Sequence, residues 1–359
     1  MSKDNCEVCK KTSIGGQAVI EGIMMKGPER TVLAVRTPDK SIAVEDVNFP
    51  NPAKKYSFCR IPVIRGIIQF AITLYVGSKT LMRSADLSGM TELEEEEEAA
   101  KKEKKLRKKA EKKGISYEEL KAKEDEKPNK LSQGVMTAVM GVGTVLGVAL
   151  AVLLFMYIPS LLFNLLDSAV TPNVAVTGET IKDGILQNWR PFLEGLMKIA
   201  IFIGYIVVVS QTSEIKKLFK YHGAEHKTIF CYEKGLTLTV ENVRKQIRFH
   251  PRCGTSFMFL MIAVGIIFST IIVLVAPSVT KLTALWVAIK ILLVPLFCGV
   301  GYELIKFCGR HDNLVTKIIA TPGLWVQRLT TKEPDDEMIE VAIKSIEEVI
   351  PSDPDLDKI

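Results

Sequence analysis

Four stretches of this chain are apolar for long enough to cross a membrane, near residues 135–166, 192–210, 256–277 and 282–304. A hydrocarbon core about 30 Å thick takes roughly 20 helical residues to span. Inside it every backbone polar group must find a partner within the segment, so stretches of this length and composition predict helices. The first stretch is longer than one span needs and contains Pro159, which predicts a tilt, a kink, or a division into a span and an interfacial end. A fifth candidate, Ile61 to Met82, carries Arg65 and Gln69 early in its apolar run, together with Gly66 and Gly77. It reads as an interfacial or re-entrant helix. The expected fold class is an α-helical polytopic membrane protein with about four transmembrane helices, that additional helix, and a small β-rich cytoplasmic N-terminal unit.

Orientation follows from lysine and arginine, which cytoplasmic segments retain during insertion. Segment 211–254 holds nine of them, whereas segment 167–191 holds only Lys182 and Arg190. Lys306, Arg310, Lys317, Arg328 and Lys332 add to the same bias. Both termini and the 211–254 loop are therefore expected inside, with 167–191 and the 278–281 turn outside. Seven cysteines at irregular spacing do not form a secreted disulfide framework. The first twenty residues lack a basic region followed by an apolar core, so no cleavable signal peptide is expected.

The chain divides by composition. Residues 1–12 read as a flexible terminus and 13–60 as the small β-rich unit. In that unit Thr31–Arg36 and Ser41–Val47 alternate around Thr37-Pro38-Asp39-Lys40, the pattern of a hairpin. Residues 61–87 form the interfacial or re-entrant helix. Residues 88–130, acidic and then lysine-rich with no apolar stripe, form a solvated helix or linker. The transmembrane domain occupies 131–310, and 311–359 is a cytoplasmic segment in which Trp325 suits a headgroup boundary.

The most informative run is 215–235, IKKLFKYHGAEHKTIFCYEKG, which can continue the second span as a helix ending at Gly235. Ile215, Leu218, Phe219, His222, His226 and Ile229 recur at three- and four-residue steps, so both histidines fall within one apolar stripe. Imidazoles four residues apart on a helix can chelate one divalent metal, and Glu225 beside them can act as general base. The order His-x-x-Glu-His is that of inverted zinc proteases, although Gly223 weakens the helix there. RFHPRCGTS supplies His250 and Cys253 as further ligands. Glu303, His311 and Asp312 return to the same face at the end of the last span. The competing reading is structural: buried histidines could simply hydrogen-bond in a packed core, Cys253 could be a small hydrophobe, and Glu303 could pair with Lys306. In IGGQAVIEGIMMKGPER the glycines permit tight turns or close backbone approach but match no phosphate-binding spacing.

Three blocks, IGGQAVIEGIMMKGP, YHGAEHKTIFCYEKG with LTVENVRKQIRFHPRCGTSF, and PGLWVQRLTTKEPDDEMIEVAI, together resemble the YqhQ-like family of bacterial membrane proteins over most of residues 13–350. The resemblance implies a multi-pass protein of the bacterial cytoplasmic membrane and a domain of unknown function that is glossed as a metal-dependent enzyme. The matching positions are His222, Glu225, His226, His250, Cys253, His311 and Asp312. The function expected is a cytoplasm-facing divalent metal site, zinc by its donors, performing hydrolysis. The alternative is a non-enzymatic accessory of membrane-protein biogenesis or envelope organisation, whose basic 211–254 loop holds a protein partner and meets nucleic acid only through a ribosome. A transporter is disfavoured, because apart from Glu194, Lys290 and Glu303 the spans offer few ionisable residues.

Overall fold

The computed structural model describes residues 11–91, 107, 142–143, 145–170, 186, 189–311 and 313–357. Residues 1–10, with Cys6 and Cys9, most of the charged 88–130 segment, the start of the first apolar stretch (135–141 and 144), most of the 167–191 loop and Asp312 lie outside the described residues.

Four strands, β1 (Gly15–Val19), β2 (Gly22–Lys26), β3 (Thr31–Arg36) and β4 (Ile42–Asp46), form an antiparallel meander in sequence order. The β3–β4 hairpin matches the alternation of its sequence. The glycine-rich run before it, which promised only turns, is itself the β1–β2 hairpin: Val19 pairs with Gly22, and Glu21 takes φ 48 in the two-residue turn. Successive side chains of a strand point to opposite faces, and here both faces are covered. Ile23, Met25, Val32 and Ala34 pack against Tyr221, Ala224, Val341 and Ile346 from helices α4 and α9 defined below. Val19, Met24, Leu33 and Val35 pack on Val76 of α1 (Ile64–Leu87). Burial on both sides explains why β2 and β3 read as nearly continuous apolar runs.

Among the described residues four helical segments are long and apolar enough to cross a membrane: Val145–Val170, Arg190–Val209 (α3), Phe257–Val275 within α6 (Gly254–Val275), and Thr283–Arg310 (α7). Their apolar windows are only 11%, 22%, 17% and 39% buried within the protein. Apolar surface left uncovered to that extent marks a membrane or protein contact. The first segment contains a π-helical turn at Leu153–Tyr157, followed by α2 (Ile158–Val170). Pro159 cannot donate to the preceding turn, and the widened turn is the irregularity expected of it. Arg190, Glu194 and Lys290, each no more than 2% exposed, tie α3 to α7: the Arg190 Nε donates to Glu194 at 3.0 Å, Lys290 pairs with the same carboxylate, and the Trp286 indole donates to it at 3.1 Å.

α1 is not among these four segments. It packs along α7 and over the sheet, and the two glycines noted in its sequence lie at its contacts. A Cβ on Gly66 would stand 2.8 Å from the Gly299 carbonyl, and one on Gly77 would stand 2.6 Å from the Gln17 side-chain oxygen.

α4 (Ser213–Glu233) does not continue α3, as the sequence had promised. The break falls at Gln211 and Thr212, with Thr212 extended at ψ 148, where polar and β-branched residues give the helix little reason to persist. α5 (Val240–Arg244), α8 (Leu314–Thr330) and α9 (Asp336–Glu347) complete the fold. Since β2, β3, α4 and α9 share one core, the amino-terminal, central and carboxy-terminal segments belong to the same side of any membrane the spans cross.

Candidate metal centre

The middle of α4 is buried all round rather than along one stripe, from Gly223 to Cys231. It is enclosed by the sheet, by α9, and by the strand-like exit from α8, whose Lys332 N–H donates to the Phe219 carbonyl at 2.8 Å. Gly223, a poor helix former, is required there. A Cβ would lie 2.0 Å from the Lys332 carbonyl oxygen.

His222 and His226 meet edge to face one turn apart, their ring centroids 4.4 Å from each other at 65°. The His222 Nδ1 lies 2.9 Å from the Thr330 carbonyl, and the His226 Nδ1 lies 2.6 Å from the Arg248 carbonyl. A carbonyl only accepts, so Nδ1 carries the proton in each ring, and a neutral ring then presents its Nε2 lone pair. The His222 Nε2 points at the Cys253 sulfur, 3.0 Å away. The His226 Nε2 is buried with no hydrogen-bond partner among the described residues. Ligand atoms of His222, His226 and Cys253 all lie within 4.8 Å of one another, where a tetrahedral ion with bonds of about 2.0–2.3 Å would set them roughly 3.3–3.7 Å apart. This trio could hold a metal.

Glu225, on the same turn, is buried beside the trio. Burial pushes its carboxyl above the usual range, and His222 and the Gly16 N–H, which donates to Oε1 at 3.0 Å, offset only part of that rise. Here the close approach permitted by the amino-terminal glycines is realised: a Cβ on Gly16 would come within 3.1 Å of the Glu225 carboxyl carbon.

His250 stands next in the row, 5.7 Å from the His226 ring, but both its nitrogens are otherwise engaged. Nδ1 accepts from the Arg252 N–H at 3.4 Å, and Nε2 faces Glu233 at 3.5 Å. Burial lowers its pKa to about 4. For Glu233 burial acts upward, but His250 and Arg252 outweigh it and hold the carboxyl below its ordinary value. Of the two alternatives for a third ligand, Cys253 joins the imidazoles and His250 supports them from behind. Glu303 is elsewhere, accepting from the Arg65 Nε at 2.6 Å rather than pairing with Lys306. His311 is exposed and stacks on Phe307 at 4.4 Å.

Sequence reasoning missed Gln327. Buried on α8, it accepts from the His250 N–H at 2.8 Å and donates to the His250 carbonyl at 2.7 Å. It thereby clamps the loop that carries Arg248 and Cys253, while three residues on the same helix supplies the Thr330 carbonyl. A glutamine within an aromatic-flanked helix carries no local sign of such a contact. A cavity of about 440 Å³ is lined by Glu225, His226 and Cys253 together with Gln69 and Thr73 of α1 and Tyr302 of α7.

A family model described as "Protein of unknown function (DUF1385)" matches residues 61–352. The chain belongs to the DUF1385 family. A curated relative, "Uncharacterized protein YqhQ" of Bacillus subtilis (strain 168), is 33% identical over 339 residues, covering 94% of this chain and 92% of the relative. This is the YqhQ-like resemblance carried by the sequence blocks. The matched family span takes in α1 through α9, and hence every member of the trio and Glu225 in this DUF1385 protein. No solved structure matches the chain at a significant level.

Proposed function

We propose that this DUF1385 protein is a zinc-dependent hydrolase of the bacterial cytoplasmic membrane, with its site on the cytoplasmic face. The observation that carries the reading is the pair of imidazoles anchored at Nδ1 by backbone carbonyls, with the His222 Nε2 facing the Cys253 sulfur and the His226 Nε2 buried without a partner among the described residues, one ligand atom of each of the three residues lying within 4.8 Å of the others. A metal-binding histidine characteristically donates its other nitrogen in this way, and an unpaired buried nitrogen otherwise costs about 1–3 kcal/mol. Two imidazoles and a thiol are a zinc-type donor set. Three protein donors leave a fourth position for water or substrate, the hallmark of a catalytic rather than a structural zinc site.

When bound, the ion supplies Lewis acidity and acidifies water at that position. Glu225, kept hungry for a proton by burial, takes the proton and returns it to the leaving group. His250 and Gln327 hold the Arg248–Cys253 loop in place. The basic residues of 211–254, by contrast, are largely engaged within the chain: Lys217 with Glu21, Lys220 with Asp335, Lys227 and Arg248 with Glu333, and Arg244 with Asp336. That leaves less charge to offer a partner and favours the enzyme over the accessory reading.

Metal analysis of protein purified without chelators tests the reading, supported by cobalt substitution and its thiolate charge-transfer band. One ion per chain is expected, lost in His222→Ala with His226→Ala, and the band should disappear in Cys253→Ser. Less than about half an ion per chain, unchanged in the double variant, refutes the reading.

A further inference from the structure

Beyond the metal centre, the end of α7 forms a second built site that the proposed hydrolysis does not use. A cavity of about 440 Å³ there is lined by charged Arg65, Glu303, Lys306 and Arg310 and by apolar Val300, Leu304 and Phe307, with Val63 and His311 at its edge. Val63 enters α1 at φ 70, a strained conformation for a β-branched residue, and its N–H reaches Glu303 at 3.4 Å. Backbone approach through Gly299, where a Cβ would lie 2.6 Å from the Val63 carbonyl, locks the two helices together. Arg65 is thereby held over Glu303, the acidic residue of the wall.

With that carboxylate matched to Arg65, two cations remain. Among the described residues neither Lys306 nor Arg310 is ion-paired. They sit one helical turn apart, at the point where the apolar run of α7 ends, which is where a helix that spans a bilayer meets the lipid headgroups. Val300, Leu304 and Phe307, at four- and three-residue steps, continue as an apolar stripe from the cations back toward the span. The neighbouring α8 turns Leu314, Val315, Ile318 and Trp325 outward, each at least 58% exposed. An outward apolar face of that kind on a helix just past a span marks the membrane interface.

We propose that this corner binds one anionic phospholipid, its phosphate on Lys306 and Arg310 and an acyl chain along Val300, Leu304 and Phe307. Excess positive charge beside an apolar wall at headgroup depth matches a lipid phosphate with its chain attached, and a free anion would have no use for the stripe.

Native mass spectrometry of the detergent-solubilised full chain tests this, with phosphatidylglycerol, phosphatidylcholine and inorganic phosphate as the probes. One phosphatidylglycerol per chain should be retained in preference to phosphatidylcholine. Retention should fall about tenfold or more in Lys306→Gln with Arg310→Gln, and hold in Lys216→Gln with Lys245→Gln, which removes equal charge elsewhere. Lys306→Arg with Arg310→Lys should restore it. Equal retention of phosphatidylcholine, or unchanged retention in the first variant, overturns the assignment. So does displacement of the lipid by millimolar phosphate, which would mark a free-anion site. The lipid selectivity and phosphate competition of the parent protein decide the question even if the first variant fails to fold.

Discussion

Replacing Gly223 by alanine should damage the fold and the proposed metal centre together. The new Cβ would lie 2.0 Å from the Lys332 carbonyl oxygen, which is backbone and has no flexible end to move aside. Relief requires a displacement of more than about 1 Å between α4 and the segment after α8, and overpacking of that kind costs roughly 1–3 kcal/mol. It also breaks the 2.8 Å bond from the Lys332 N–H to the Phe219 carbonyl, worth about 1 kcal/mol. The better helix propensity of alanine returns about 1 kcal/mol, so the net loss is about 1–3 kcal/mol. Thr330, two residues before Lys332, orients His222 through its carbonyl at 2.9 Å. Disturbing such an outer partner typically weakens metal binding 10- to 100-fold, or about 1.4–2.7 kcal/mol. Thermal unfolding in detergent and competition against a zinc chelator measure the two losses. Gly15→Ala, which meets nothing within 4 Å, serves as the control. If Gly223→Ala matches the parent in both assays, the packing account of this glycine and its link to His222 are wrong.

Other perturbations separate further parts of the argument. Glu225→Gln should keep its metal but lose hydrolytic turnover. The raised carboxyl means that the unfolded chain ionises first, so the metal-free variant should be more stable than the parent above about pH 4.5 and equal to it below; a variant that is no more stable at pH 7 contradicts this. His250 titrates near 4 when folded against 6.5 when free. Its contribution is therefore complete above pH 6.5 and is lost as the pH falls toward 4, about 3 kcal/mol in all and about 2 between pH 7 and 5. Denaturant titrations should show that slope in the parent and a shallower one in His250→Gln, and parallel slopes would rule it out. Glu194→Gln removes the carboxylate between buried Arg190 and Lys290 and should cost about 3–5 kcal/mol, read as the midpoint of unfolding in mixed micelles. A change below about 0.5 kcal/mol would show the cluster to be hydrated.

Much of this architecture could be read along the chain, because it depends on quantities that are local in sequence. The length of an apolar run decides whether it can span, and within the described residues the four segments lie close to the positions read from it. Period-two alternation placed the β3–β4 hairpin, and the four-residue spacing of His222 and His226 put two imidazoles on one turn. What remained hidden depended on neighbours distant in the chain. The β1–β2 hairpin looked like glycine-rich turn sequence, since the contacts that bury Ile23, Met25 and Met24 come from α4, α9 and α1. The break between α3 and α4 was masked by a continuous helical pattern on either side of it.

Choosing between His250 and Cys253 was likewise a tertiary matter. Both come from one short loop: Gln327 on α8, 77 residues from His250, fixes its backbone, Glu233 and the Arg252 N–H engage its imidazole, and the Cys253 sulfur is left beside His222. Sequence alone therefore determined that this chain carries four apolar segments long enough to span a membrane and two imidazoles spaced so that they could share a metal, because apolar length and helical spacing are properties of a single segment. Tertiary structure decided which donors converge, because a ligand set is a matter of distances between segments, and those are set by close backbone approaches such as Gly223 on Lys332 and Gly16 on Glu225.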